Sequence, residues 1–222
     1  MGENPYKSRV FLSDLLKRTD YQEQRAWTEH QQMQVDFLKS RGFGPGSNVL
    51  DVGCGPLRLG VALIPELETG WYYGQDINAD TLDLGRQVLA DAGVTSSRYT
   101  LLCSSDFNLD GVDRAIDIAF SNSLFSHLSL NSILICLMRV RERLSPAGVY
   151  YSTYFRIDDG HTWLKPHPRR KWGRTFDTYP NQDPYHYSEA LLEAVARSAG
   201  FDMETASEFG HPTQTMACFR PV

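Results

Sequence analysis

The chain contains no run of about 18 apolar residues, so no segment of it reads as a membrane-crossing helix. Its opening, Met-Gly-Glu-Asn-Pro-Tyr-Lys, lacks the apolar centre of a secretory signal. Tyr6 stands where a myristoylation motif beginning at Gly2 needs Ser or Thr. Basic residues are not in excess either: 22 Lys and Arg against 27 Asp and Glu give a net charge of −5, a poor match to general nucleic-acid binding. Cysteine is scarce. Cys54, Cys103, Cys136 and Cys218 are scattered through apolar or glycine-rich segments without metal-ligand spacing, which reads as small buried thiols in a reducing cytoplasm. No other His, Asp, Glu or Cys cluster has plausible ligand spacing, so no metal is expected. Internal repeats, low-complexity tracts and linkers are also missing. At 222 residues the chain is therefore read as one domain, residues 1–222, of a cytoplasmic protein.

What is present is alternation. A helix is expected over 22–40, with Ala26, Met33, Phe37 and Leu38 at helical spacing and Gly42 as its stop. Strands are expected at 48–52, 71–76, 99–103, 116–120 and 149–155. Helices fall between them at 57–64 (ended by Pro65), 79–92 and 130–144. Ser188 can cap a further helix, and strands near 202–207 and 214–220 have hairpin spacing. Such alternation predicts an α/β, doubly wound, mostly parallel seven-stranded sheet with an antiparallel C-terminal strand. The segment 156–187 is too long and too polar for a simple connection.

Residues 48–60 concentrate the chemistry. Val49, Leu50 and Val52 form a strand that breaks at Gly53 and Gly55, where the missing side chains permit a tight turn and close approach to a ligand. Asp51 precedes the glycines. The next strand ends in a second acid, Asp76, near the separation at which a carboxylate meets ribose hydroxyls in a βαβ unit. A dinucleotide dehydrogenase would carry a third glycine where Arg58 stands, which weighs against a nicotinamide cofactor.

Together Asp51, Gly53, Gly55, the Tyr-Gly-Gln-Asp-Ile-Asn run through Asp76, and Asp106-Phe107 resemble the class I S-adenosylmethionine-dependent methyltransferases. Finer likeness lies in Ser123-Leu124-Phe125-Ser126-His127-Leu128 and in Arg143-Leu144-Ser145-Pro146-Ala147-Gly148, patterns of small methyltransferases found with saccharide or secondary-metabolite enzymes. The resemblance implies S-adenosylmethionine as cofactor. Gly53, Cys54 and Gly55 would approach it through the backbone, and Asp76 with Ile77 beside it would hold the ribose end. Asp106 and Phe107 would take the adenine, with Asp110 a close alternative to Asp106. Ser121 and Asn122 would line the methionine portion. Arg58 would either pair with the cofactor carboxylate or serve as a surface cation. Leu57 departs from the family, which usually has glycine there.

The reaction implied is methyl transfer to a small polar acceptor, an anionic or sugar-like molecule, most simply at a hydroxyl oxygen. The alternative is a non-catalytic protein of the same fold that binds the cofactor or a partner. A hydroxyl acceptor benefits from a base, and neutral imidazole suits that task. His127 follows the fourth strand, where ligands of open α/β sheets sit; otherwise it caps the next helix or packs beneath the site. His186, between Tyr185 and Tyr187, is the second candidate. Segment 156–187 would form the acceptor pocket, since His161, Trp163, Lys165, His167, Arg169, Arg170, Lys171, Trp172 and Arg174 interleave cations with aromatics. A solvated loop with two packing tryptophans fits the same composition. Residues 1–45 are expected to form a helical lid, with Tyr21, Arg25 and Trp27 over the cofactor.

Overall fold

The computed structural model describes residues 21–157, 163–171 and 174–222. Two compact units divide the chain, one ending at Asp113 and the other beginning at Arg114. In the first unit, α1 (Tyr21–Ser40) precedes β1 (Asn48–Val52), α2 (Gly60–Leu63), β2 (Trp71–Asp76), α3 (Ala79–Asp91) and β3 (Tyr99–Cys103). The three strands lie in the order β3-β2-β1, all parallel, with Asp51 opposite Gly74 and Gln75 opposite Leu102. Val49, Leu50 and Val52 are completely buried, as expected of a parallel strand covered on both faces. Phe37 and Leu38 of α1 and Leu82 and Leu89 of α3 are buried with them. Asn78 starts α3 by accepting the Asp80 and Thr81 N–H groups on its side-chain oxygen.

The second unit contains β4 (Ile116–Ser121), α4 (Leu130–Arg141), β5 (Leu144–Ile157), β6 (His167–Lys171), β7 (Arg174–Thr178), β8 (His186–Ser188), α5 (Glu189–Ser198), β9 (Phe201–Ala206) and β10 (Thr215–Pro221). β4 runs parallel to β5, whereas β10 runs antiparallel to both β5 and β9. A core of edge-on and tilted rings, Phe125, Tyr150, Phe201 and Phe219, fills the space where these strands meet. Ser188 caps α5 by accepting the Leu191 N–H at 3.2 Å.

The fold is mixed α/β, mostly parallel, with antiparallel pairing at the C-terminal strands. All seven expected strands are present, and short β8 adds to β5. Three local expectations need correction. α2 begins at Gly60, not at 57, because residues 53–57 are still turning. Pro65 does not end the helix; it enters a 3-10 turn, Ile64–Glu66, at a position whose N–H is not needed. β5 starts at Leu144 because residues between its pairings with Ile116 and Ile118 bulge out, so the Ser-Pro-Ala-Gly turn lies within the strand. Segment 156–187 holds the β6–β7 hairpin and β8.

Candidate functional site

The turn after β1 is built by three left-handed residues. Gly53 has φ +72°, Gly55 +55° and Leu57 +59°. The N–H groups of Gly53 and Cys54 both donate to the Gln75 carbonyl, at 2.7 and 2.9 Å, which ties the turn to the end of β2. A Cβ on Gly55 would meet nothing within 4 Å, so the turn leaves open space on that side. Leu57 pays no visible penalty in packing: its side chain is wholly buried, and a Cβ on Gly85 of α3 would lie 2.7 Å from its Cγ. Glycine stands in the helix so that leucine can stand in the turn.

Two carboxylates border the turn. Asp51 is buried, and the Tyr72 hydroxyl donates to its Oδ2 at 2.6 Å. Burial pushes this carboxyl up to about 7, against the opposing effects of the Tyr72 hydroxyl and the Arg58 charge, with Asp76 adding to the rise. Asp76 accepts the Gly55 N–H on Oδ2 and the Asn78 N–H on Oδ1, each at 2.9 Å. Burial raises it as well, opposed by those backbone bonds. Ile77, next in sequence, is half-buried. The Cys54 thiol is buried and pushed well up by burial and by Asp51 and Asp76, so it is inert. Cys103, expected to be buried, is exposed at the end of β3, where the strand leaves the hydrophobic layer.

Arg58 is half-buried. Its guanidinium lies 5.2 Å from the Trp27 ring centre, and its carbonyl accepts the Gln31 side-chain amide. Its Nε is buried with no hydrogen-bond partner. Burial lowers its pKa, with Asp51 acting the other way. Of the lid residues, Trp27 thus packs on the arginine; the side chains of Tyr21 and Arg25, and residues 1–20, lie outside the described residues.

After β3, Asp106 is exposed and accepts the Ser104 hydroxyl at 2.8 Å and the Asn108 N–H at 3.2 Å on one oxygen. Phe107 takes a left-handed φ of +58°. This loop and β3 line a cleft of about 520 Å³ that includes Asp106, Asn108 and Asp110.

In the second unit, β4 ends at Ser121, whose hydroxyl donates to Ser152 at 2.6 Å and lies 3.0 Å from the Tyr150 hydroxyl. That side chain is spent on a buried hydroxyl network rather than presented to a ligand. Asn122 has a buried Oδ1 without a partner. His127 closes a 3-10 turn and does not cap α4, a role taken by Ser129. Its Nδ1 lies 2.6 Å from Asp183 Oδ1, and both side chains are about one-third exposed, at 29% and 35%. His186 is buried, with Nε2 donating to the Trp163 carbonyl at 2.7 Å and Nδ1 accepting the Thr178 hydroxyl at 3.0 Å. Burial, first among several causes, lowers its pKa. These bonds make it a pin for the hairpin segment.

Arg169 packs over Phe155 at 5.5 Å and donates to the Arg156 carbonyl, whereas Arg170, Lys165 and Trp163 are exposed. His161 and Trp172, and the side chains of Lys171 and Arg174, lie outside the described residues. Asp183 and the Trp27–Arg58 stack were not legible in the sequence, since each joins residues far apart in the chain without local spacing. Among the described residues no three His, Cys, Asp or Glu side chains gather as a metal site, and no helix is long and apolar enough to cross a membrane.

Residues 50–150 match the family model described as a methyltransferase domain. Among solved structures, the magnesium protoporphyrin IX methyltransferase of Synechocystis with bound S-adenosylmethionine is similar at TM-score 0.66 and 15% identity, over 97% of this chain and 93% of that one. An S-adenosylmethionine-dependent methyltransferase of Clostridium acetobutylicum gives 0.62 and 12%, over 98% and 99%. DesVI of Streptomyces venezuelae gives 0.59 and 18%, over 87% and 92%. The first unit has features that suit an adenosyl amino acid: open space at Gly55, a carboxylate oriented at Asp76, and at Arg58 a half-buried guanidinium whose Nε has no hydrogen-bond partner. Residues 50–150 thus carry the match to a methyltransferase domain, on a fold shared with S-adenosylmethionine-dependent methyltransferases.

Proposed function

We propose that the chain, acting as a single methyltransferase domain, methylates a hydroxyl oxygen of a small polar molecule, with His127 as the base. The observation that carries this reading is the 2.6 Å contact between His127 Nδ1 and Asp183 Oδ1 on partly exposed side chains. A carboxylate on Nδ1 keeps the proton there and leaves Nε2 as the basic atom, the arrangement a general base requires. S-adenosylmethionine, when bound, supplies an electrophilic methyl group on a sulfonium. The protein's part is to align the acceptor, exclude water and take the hydroxyl proton at His127 Nε2.

For the cofactor, Asp76 receives the ribose hydroxyls while the backbone of Gly53, Cys54 and Gly55 approaches it closely, with Ile77 alongside. Asp106, which lines the cleft beside β3, and its neighbour Phe107 take the adenine. Asn122, through its unpartnered oxygen, is assigned to the methionine portion. Exposed Arg170, Lys165 and Trp163 favour an anionic or sugar-like acceptor, because cations bind carboxylate or phosphate and an indole face covers apolar sugar faces. The Synechocystis relative is named for a small molecule, magnesium protoporphyrin IX, which also supports a small-molecule acceptor.

The test is formation of S-adenosylhomocysteine against matched panels of sugar acids, sugar phosphates, phenols and primary amines. Carbon-13 methyl label in the product distinguishes O-methyl from N-methyl. Turnover confined to amines would reject the hydroxyl assignment.

A further inference from the structure

Arginines drawn part-way into a fold are ordinarily matched by a carboxylate or by several carbonyl oxygens, because a guanidinium nitrogen removed from water without a partner loses its hydration without return. Arg58 has neither among the described residues: its Nε is buried without a partner, and the one carboxylate that it senses, Asp51, forms no ion pair with it. What holds it is α1. Trp27 places its ring 5.2 Å from the guanidinium carbon, and Gln31, one helical turn further on, donates its side-chain amide to the Arg58 carbonyl. Residues four apart share a helix face, so one face of α1 grips both ends of this arginine.

A planar cation stacked on an indole retains its in-plane N–H groups for a planar anion, which a carboxylate matches with two parallel bonds. We infer that Trp27 is a positioning residue that fixes Arg58 as a receptor for the ligand's α-carboxylate. The α1–Arg58 pair thereby selects adenosyl thioethers that carry the amino-acid tail over those that lack it. This rests on the cofactor assignment, and it adds a source of selectivity that Asp76 and the glycine turn do not provide, since those meet the nucleoside portion common to both ligand types.

The experiment is calorimetric titration of the full chain with two probes, S-adenosylhomocysteine and 5′-methylthioadenosine, the second having the nucleoside and thioether but no amino-acid tail. Wild type should prefer S-adenosylhomocysteine by at least tenfold. Trp27→Ala should weaken S-adenosylhomocysteine roughly 3- to 30-fold, the range of a desolvated cation–π contact, and leave methylthioadenosine unchanged. Trp27→Phe should restore most of the loss. Arg58→Met should remove roughly 10- to 100-fold of S-adenosylhomocysteine affinity, again without moving the truncated probe. Circular dichroism and the retained binding of methylthioadenosine report that each variant is folded. Equal losses for both probes would make Trp27 a general support of the unit and overturn the inference, while the cofactor assignment stands. An unchanged ratio of the two affinities in Arg58→Met would do the same. If neither probe bound the wild type, the cofactor assignment itself would fall and the inference with it.

Discussion

The Nδ1 atom of His127 and the Oδ1 atom of Asp183 lie 2.6 Å apart although 56 residues separate them in the chain. The contact fixes the imidazole plane and its tautomer. If Nε2 is the base, His127→Gln should lower kcat by roughly 10²- to 10⁴-fold while cofactor affinity is retained. A loss under about tenfold in single-turnover measurements would leave His127 a structural role only.

Asp183→Asn separates charge from shape. The amide can turn its N–H toward Nδ1 and drive the imidazole proton to Nε2, the wrong tautomer for a base. The variant should therefore lose kcat with little change in stability. Nitrogen-15 chemical shifts of His127 should show the proton moved between the ring nitrogens.

Asp76 holds the turn as well as any ribose, because each of its oxygens already accepts a backbone N–H, from Gly55 and from Asn78. Asp76→Ala should weaken S-adenosylhomocysteine by about 1.5–3 kcal/mol, the range for hydrogen bonds to a charged group. It should also lower the unfolding midpoint, because two backbone donors lose their acceptor. Calorimetry and urea denaturation on the same samples measure the two effects.

The pH response of stability follows from Asp51. Its carboxyl rises from an ordinary 3.8 to about 7 on folding, so between those values the folded chain holds a proton that the unfolded chain has released. Stability from this group is thus greatest below pH 4 and declines as pH rises to 7, by up to about 1.4 kcal/mol per pH unit, then levels off. Asp51→Asn keeps an oxygen for the Tyr72 hydroxyl and removes the titration. Its stability relative to wild type should climb across pH 4–7 in urea denaturation, and a flat difference would contradict the burial argument.

The parts of the fold legible in the sequence were those whose cause is local. Val49, Leu50 and Val52 form an apolar run too short for a helix, Gly53 and Gly55 supply the left-handed turn, and Ser188 caps the helix that follows it. The less legible parts depend on contacts at a distance. Ser121 carries no mark that its hydroxyl joins Ser152 and Tyr150 in the core. Nothing near His186 announces that Thr178 and the Trp163 carbonyl occupy its two nitrogens. Asp183 and Trp27 belong to the same class: their partners are set by how the chain returns on itself.

Leu57 and Gly85 carry the last prediction. Gly85→Ala adds a methyl group where 2.7 Å is available and should cost about 1–3 kcal/mol despite alanine's better helix propensity. Leu57→Gly relieves a left-handed backbone by about 1–2 kcal/mol but empties a fully buried site, so it too should destabilise. In the double variant the alanine occupies part of the vacated space. Its destabilisation should fall short of the sum of the two single changes by about 0.5–3 kcal/mol in a thermodynamic cycle.

Seen as a problem of sequence variation, this pair is epistatic. A library that varies one position at a time would score both 57 and 85 as intolerant and would suggest that the leucine is indispensable. Exchanging them in concert opens a route from a leucine-bearing turn to a glycine-bearing one. The helix residue must be free to change along with it.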